Sequence, residues 1–347
     1  MDAAPGTTIP ADPRPPVTFE DVLAARERIR PYVRRTPLFR APRIPGMPDG
    51  PVYLKLESLQ ATGSFKLRGA TNRIRQLSEA DRRRGVIAAS GGNHAQGVAE
   101  AARSMGVSAT VVMPSNASEV KAERARALGA EVVRAGLDYE EAHEEAIRRQ
   151  RRTGRVMIEP FDDPAIIAGQ GTVGLEIVED LPDVGSILAG VGGGGLLAGI
   201  AVGAHGLSHR TAIVGVQAAG ADTLGRSLSE GRIVVGPPPR TIADGLATRR
   251  IGALPFDLFR AHGVRSTVVG EADLARATLS LLEDAKVVAE PAAAAPLAAW
   301  LRSADLHLTG PVVLVVSGGN LDLSKVETLR RLAREGDGGA PDAPRTG

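Results

Sequence analysis

The chain contains no cysteine. Disulfides, thiolate metal sites and a thiol nucleophile are therefore excluded, and a reducing, cytoplasmic setting is the expectation. Aromatic residues make up only 3% of the sequence, too few to build stacking platforms for single-stranded nucleic acid. Charge of either sign is not in excess: 42 Lys and Arg stand against 40 Asp and Glu. The basic runs RERIRPYVRR and DRRRG are short and interspersed with acids, and read as solvated helix faces rather than a nucleic-acid patch. No apolar run reaches the ~18 residues of a membrane span. The opening MDAAPGTTIPADPRPP has no basic stretch followed by an apolar one and is not expected to act as a signal peptide. Residues 1–17 and 333–347 are rich in Pro and Gly and are expected to be disordered tails.

What is present is length and alternation. The 347 residues, 43% hydrophobic, suffice for two domains. From about residue 86 short β-rich runs alternate with helical patterns. The strand candidates are VIAAS, SATVVMP, AEVVRA, RVMIEP, SILAGV, AIVGVQ, VVAEP and VVLVVS; between them lie stretches such as HAQGVAEAARSMG, YEEAHEEAIRRQRR and PAIIAGQGTVGLEIVEDL. This order predicts an α/β fold with a mostly parallel sheet, and the near-continuous apolar runs agree with strands covered on both faces.

Ligands of such sheets bind at the carboxyl ends of the strands. Three candidate strands end there in glycine-rich turns: AASGGNHAQG, LAGVGGGGLLAG and LVVSGGNLDL. The tetrapeptide SGGN occurs at both 90–93 and 317–320, which suggests two turns doing similar backbone work near one site. Gly192, Gly193, Gly194 and Gly195 remove every Cβ from the turn before a helix expected at 196–204. Backbone N–H groups and the helix dipole can then face a phosphate; a tight crossing without a ligand is the alternative. The run also satisfies G-x-G-x-x-G, but the acid needed at the end of the next strand is replaced by Gln217 and Ala218, so a dinucleotide site is not indicated. No P-loop pattern occurs.

The stretch TGSFKLRGA places Lys66 and Arg68 at the start of a helix without an acid, against the preference of the positive dipole end. A lysine between Phe65 and Leu67 at such a position has a depressed pKa, and its neutral amine is a nucleophile toward a carbonyl. An amine and a phosphate cradle together suggest an aldehyde that carries a phosphate, pyridoxal 5'-phosphate (PLP).

The segments LKLESLQATGSFKLRGA, AASGGNHAQGVA, IAGQGTVGLEI, VGGGGLLAGIA, TIADGLA and VVLVVSGGNLDL occur in an order and spacing that resemble the serine/threonine dehydratases (ammonia-lyases) of the fold-type II, tryptophan-synthase-β-like PLP enzymes, a group that includes serine racemase. The resemblance spans roughly residues 18–332. It implies a large PLP-binding domain of residues 18–84 plus 163–332, with a smaller α/β domain, 85–162, inserted and closing over substrate. It also implies Lys66 as the residue joined to the cofactor and as the base, Phe65 packed near the ring, and Asn93 on the ring hydroxyl oxygen. Gly192 to Gly195 and the Leu196 amide would hold the phosphate, and Ser317 would face the pyridine nitrogen. The turn Ser90, Gly91, Gly92, Asn93 and His94 would receive the substrate carboxylate; Ser90 reads equally as a turn cap, and His94 more as a packing residue than a proton carrier. The implied reaction turns a β-hydroxy amino acid into a 2-keto acid and ammonia.

Departures from the pattern narrow the reading. Racemizing relatives place a serine where this chain has Gly91, which favours a lyase over a racemase. Metal-dependent relatives place acids where this chain has Gln217 and Thr223, with Asp222 one residue early, so no metal site is expected and a hydrogen bond from Gln217 would replace its bracing. Glu290 follows the family pattern of a Glu near the cofactor, or is a strand-end acid before a Pro-started helix. A serine-type racemase, a 3-hydroxyaspartate dehydratase and a PLP-dependent synthase remain as rivals. The family is often dimeric, so a homodimer or higher homo-oligomer is expected, with a small amino acid as substrate and neither nucleic acid nor membrane as partner.

Overall fold

The computed structural model describes residues 16–302 and 306–335; most of the two expected tails, 1–15 and 336–347, lies outside the described residues. The tail boundaries need correction where they are described. Val17 is buried in the main core, and helix α13, Val326–Glu335, continues past residue 333 because Leu329 packs inward.

Helix α1, Phe19–Ile29, begins at a reciprocal cap between Thr18 and Asp21, which satisfies two orphan N–H groups. Its buried residues Val22, Ala25 and Ile29 recur at helical spacing. The larger sheet contains β1 (Leu38–Arg40), β2 (Val52–Leu56), β7 (Ser186–Gly190), β8 (Ala212–Ala218), β9 (Arg265–Val269) and β10 (Val312–Val316). Their order is β1-β2-β10-β7-β8-β9, parallel throughout except for the β1–β2 pair. The smaller sheet, order β5-β4-β3-β6, is wholly parallel and holds β3 (Val86–Ala89), β4 (Ala109–Met113), β5 (Glu131–Arg134) and β6 (Val156–Met157). Val312–Val316 and Ala109–Met113 are buried along their full length, as expected of strands covered on both faces.

One strand expectation fails, and some strands form where none was expected, each for a physical reason. Residues 287–291 form no strand. Lys286 has φ 58, the N–H of Val287 turns back to Leu281, and that of Glu290 goes to the loop carbonyl of Gly318, so no ladder partner is left. In its place β9 forms from RSTVV, a sheet-edge strand whose exposed and half-buried residues hide it from a search for apolar runs. Strand β2, VYLKL, carries the fully buried Lys55 and was masked by that charge.

Each of the three glycine-rich turns leaves the carboxyl end of a strand. After β3 comes α4, Asn93–Ser104; after β7 comes α8, Gly195–His205; after β10 comes the second SGGN turn. A bridge between Ser64 and Gly318, with bonds from Phe65 N to the Ser317 carbonyl (3.1 Å) and from Gly319 N to the Gly63 carbonyl (2.8 Å), draws the start of helix α2, Lys66–Arg75, onto the end of β10. Helix α4 crosses α2 so closely that a Cβ on Gly97 would lie 3.0 Å from the Lys66 carbonyl carbon. The strand ends of both sheets thus converge on the first turn of α2.

Candidate active site

Helix α2 begins with no side-chain cap and no acid in its first turn. Of its two early cations, Arg68 is fully buried and bonded to two carboxylates, Glu57 (2.8 Å) and Glu176 (2.6 Å). Lys66 has a different environment. Its Nζ donates to the carbonyl of Pro160 at 2.6 Å and stands 5.2 Å from the Phe65 ring centroid. Among the described residues no carboxylate lies within ion-pair distance of it. Burial without a counter-charge pushes its pKa down from 10.5 to about 8, which raises the neutral-amine fraction at pH 7 to roughly a tenth.

The glycine turn forms the second feature. Gly194 precedes α8 with φ +100, a conformation that side chains other than glycine rarely accept. Among the described residues no side chain caps the helix, and its first N–H groups lie at the positive end of the dipole. A Cβ on Gly192 would stand 2.7 Å from the Gly245 carbonyl, one on Gly193 would enter the Phe161 ring, and one on Gly195 would stand 2.8 Å from the Phe161 carbonyl. Leu196 is buried in the first turn. This is a donor-lined cradle from which side chains are excluded, and it fits a phosphate; with a depressed lysine beside it, the residues present fit PLP.

One strap joins the two features. The carbonyl of Ile158 lies 2.8 Å from His94 Nε2, that of Pro160 accepts from Lys66, Phe161 covers the glycine turn, and the Asp162 carboxylate accepts from the N–H groups of Ala253 (3.1 Å) and Leu254 (3.0 Å). His94 is buried, and its pKa falls to about 3, first through burial and then through the Lys66 charge. The ring is neutral, so Nε2 donates to Ile158, while Nδ1 is buried without a protein partner. A ring so held packs and orients; at neutral pH it has no proton to spare.

The two SGGN turns meet. Asn93 donates Nδ2 to the Glu290 carboxylate and accepts at Oδ1 from Asn320 Nδ2 at 2.8 Å. Glu290 is buried and its pKa is raised, chiefly by burial. Ser317 is buried at the carboxyl end of β10. Ser90 Oγ accepts from Gly92 N at 3.1 Å, so it caps its own turn; Gly91 has Ala117 where its Cβ would be, 2.9 Å away. Gln217 is buried, accepts from Leu224 N (2.6 Å) and donates to the Val191 carbonyl (3.3 Å), bracing the start of the glycine turn. Thr223 Oγ1 is buried without a partner. Among the described residues no group of three His, Asp or Glu is placed to hold a metal ion, and no helix is long and apolar enough to cross a membrane.

Sequence reasoning missed the strap. Pro160 acts through a backbone carbonyl, which every residue possesses, and Phe161 through its place in space. Asn320 had a signal, the repeated tetrapeptide, but not a role.

Residues 29–318 match the family described as pyridoxal-phosphate dependent enzymes. An L-threonine ammonia-lyase of Thermotoga maritima is 45% identical, the match covering 90% of this chain and 78% of that protein. The crystal structure of a threonine deaminase from T.th. is 43% identical, with a TM-score of 0.82 over 88% of this chain and 99% of that one. Maize serine racemase is 33% identical, with a TM-score of 0.86 over 92% and 99%. On the family match over most of its length and the agreement in fold, the chain belongs to the pyridoxal-phosphate dependent enzymes, with the α/β architecture of their fold-type II branch.

Proposed function

We propose that this chain is an L-threonine ammonia-lyase acting on β-hydroxy amino acids. The observation that carries the reading is Lys66, brought down to about 8 by burial with no acid to pair with, beside a side-chain-free anion cradle at the start of α8. The threonine assignment draws on the Thermotoga maritima ammonia-lyase and the T.th. deaminase named above.

The N–H groups of Gly192 to Leu196 would hold the cofactor phosphate, Asn93 would bond its ring hydroxyl, and Phe65 would pack beside the ring. Ser317 would meet the pyridine nitrogen with a hydroxyl, which can donate a hydrogen bond but would not enforce protonation as a carboxylate would. Bound PLP supplies the electron sink that makes negative charge at the substrate α-carbon tolerable. The turn 90–94 places the substrate carboxylate against backbone N–H groups, where Gly92, with nothing within 4 Å of the place of a Cβ, leaves it room. Lys66 Nζ, once free, takes the proton from the α-carbon. The β-hydroxyl leaves as water, taking up the proton that Lys66 removed from the α-carbon, and the released enamine tautomerises to an imine that takes up one water to give the 2-keto acid and ammonia. Residues 85–162 act as the unit that closes on substrate. Helix α5, Glu119–Ala127, reaches the larger unit through Lys121 to Asp244 (3.1 Å) and Arg124 to Asn320 (3.0 Å).

Racemization needs a proton donor on the opposite face of the α-carbon. Gly91 offers none, and the 2.9 Å approach of Ala117 to the position of its Cβ leaves no room for one without movement. The test is keto-acid formation across serine, threonine, 3-hydroxyaspartate and bulkier β-hydroxy amino acids, with optical rotation followed in parallel. Borohydride reduction and peptide mapping should place the cofactor on Lys66, and Lys66→Ala should lose both the tag and the activity. A tag on another lysine, or loss of optical activity without keto acid, overturns the reading.

A further inference from the structure

The repeated SGGN tetrapeptide places two asparagines at equivalent positions of two turns, one from each sheet. Their side chains bond directly, Asn320 Nδ2 to Asn93 Oδ1 at 2.8 Å. A carboxamide has one accepting and one donating end, so its direction is set by what surrounds it. Asn320 is surrounded by groups with a single role. Its Nδ2 also donates to the carbonyl of Thr62 at 2.9 Å, a group that can only accept. Its Oδ1 accepts from Arg124 Nη1 at 3.0 Å, a group that can only donate. Asn320 therefore cannot reverse without facing a donor with a donor and an acceptor with an acceptor.

That fixed direction is passed on. Because Asn320 presents N–H, Asn93 must present Oδ1 to it, and its own Nδ2 is turned to the Glu290 carboxylate. Two glycines leave the space. A Cβ on Gly63, which has φ +72, would stand 2.7 Å from Asn320 Oδ1, and one on Gly318 would stand 3.2 Å from Asn93 Nδ2 and collide with Glu290.

We propose that Asn320 is a positioning residue for Asn93: through the chain Arg124–Asn320–Asn93–Glu290 it holds the Asn93 carboxamide with its N–H side toward the cofactor, and links that orientation to the seating of helix α5. The inference rests on the proposed place of Asn93 beside the cofactor ring. Asn320 acts through another side chain and touches no reacting atom itself.

The experiment is a double-mutant cycle on the holoenzyme with three readouts: cofactor dissociation constant, the pH titration of the bound cofactor's visible absorption, and kcat/KM with threonine. Asn93→Ala alone tests the underlying reading; if it changes none of the three, that reading fails. Given an effect of Asn93→Ala, Asn320→Asp should weaken cofactor binding and kcat/KM on the order of tenfold, because a carboxylate keeps the Arg124 contact but faces Thr62 and Asn93 with acceptors. It should also shift the absorption titration in the same direction as Asn93→Ala. The double variant should be no worse than Asn93→Ala. Circular dichroism checks that each variant folds. Arg124→Ala, on the exposed rim, serves if the Asn320 variant does not fold, with a smaller loss of the same sign that vanishes in the Asn93→Ala background. Wild-type binding and spectra in Asn320→Asp, or effects that multiply with those of Asn93→Ala, overturn the proposal.

Discussion

Two buried cations at opposite ends of one short stretch of structure behave in opposite ways. Beneath helix α2, Lys55 is fully buried, donates to Glu176 at 2.7 Å and to the Thr36 carbonyl at 2.7 Å, and shares Glu176 with Arg68. Arg68 in turn holds Glu57 with two of its nitrogens. Burial works against every charge in this group, but the mutual attraction prevails: Arg68 is driven further above its ordinary range, and Glu176 is held below its own by Arg68 and Lys55. At the tip of the same helix Lys66 has only a carbonyl, and burial prevails instead. The difference teaches what burial does to a charge: with carboxylates in reach it makes an ionic pillar, and without them it lowers the pKa of an amine, as the proposed role of Lys66 requires. The pillar fixes the helix whose first residue must be positioned, so the paired cations hold the unpaired one in place.

Substitution should separate the two regions cleanly. Glu176→Gln leaves Lys55 without its carboxylate and Arg68 with only Glu57, so uncompensated buried charge should cost about 3–5 kcal/mol of stability, read as a lower denaturant midpoint. Lys66→Met should leave the midpoint unchanged or raise it, while kcat/KM falls roughly a thousandfold or more. If Lys66→Met were the less stable of the two, the contrast between pillar and nucleophile would be wrong.

How much of this was legible in the sequence follows the same division. Lys66 and the glycine quartet were readable because each breaks a local rule, a cation at the wrong helix end and a turn with no side chains. The pillar was not, because Glu57 and Glu176 are 11 and 108 residues from Arg68 and no spacing rule joins them. Seven of the eight strand candidates end in strands, since strands buried on both faces leave continuous apolar runs; β2 and β9 escaped because a buried lysine and an edge position break that pattern. The extended run at 287–291 has strand composition but no neighbour to pair with, a fact of three dimensions alone. Asn320 lies between these cases: its tetrapeptide repeats, but only the fold brings it to Asn93.

A change of pH sharpens the comparison further. The Lys66 pKa is about 8 in the folded protein against an ordinary 10.5. Below about 8 both folded and unfolded chains carry the proton, and the penalty for burying it is constant. Between about 8 and 10.5 the unfolded chain binds a proton that the folded one does not, so stability rises with pH; above that range the contribution is level. Cofactor-free wild type should therefore gain on Lys66→Met as pH increases through this window, by ~3 kcal/mol at most. Denaturant midpoints of both proteins across the window supply the measurement, and parallel curves would show that Lys66 is not held below its ordinary range.

The smallest expected effect lies one residue layer away. His94 is held near 3 by burial first and by the Lys66 charge second, with the Ile158 carbonyl working the other way. In the acidic range where His94 titrates, Lys66 is fully protonated, so its influence there is at its greatest. Replacing it by methionine removes the second cause and leaves the first. The imidazole midpoint, followed by NMR of its ring protons, should rise in Lys66→Met yet stay below 6.5, the value for an unperturbed ring. Lys55→Met should leave it where it was, because the charge of Lys55 is spent on Glu176. A rise to the ordinary value would mean that the lysine, not burial, keeps the ring neutral; no rise at all would mean that the two side chains do not sense one another across the strap that both hold.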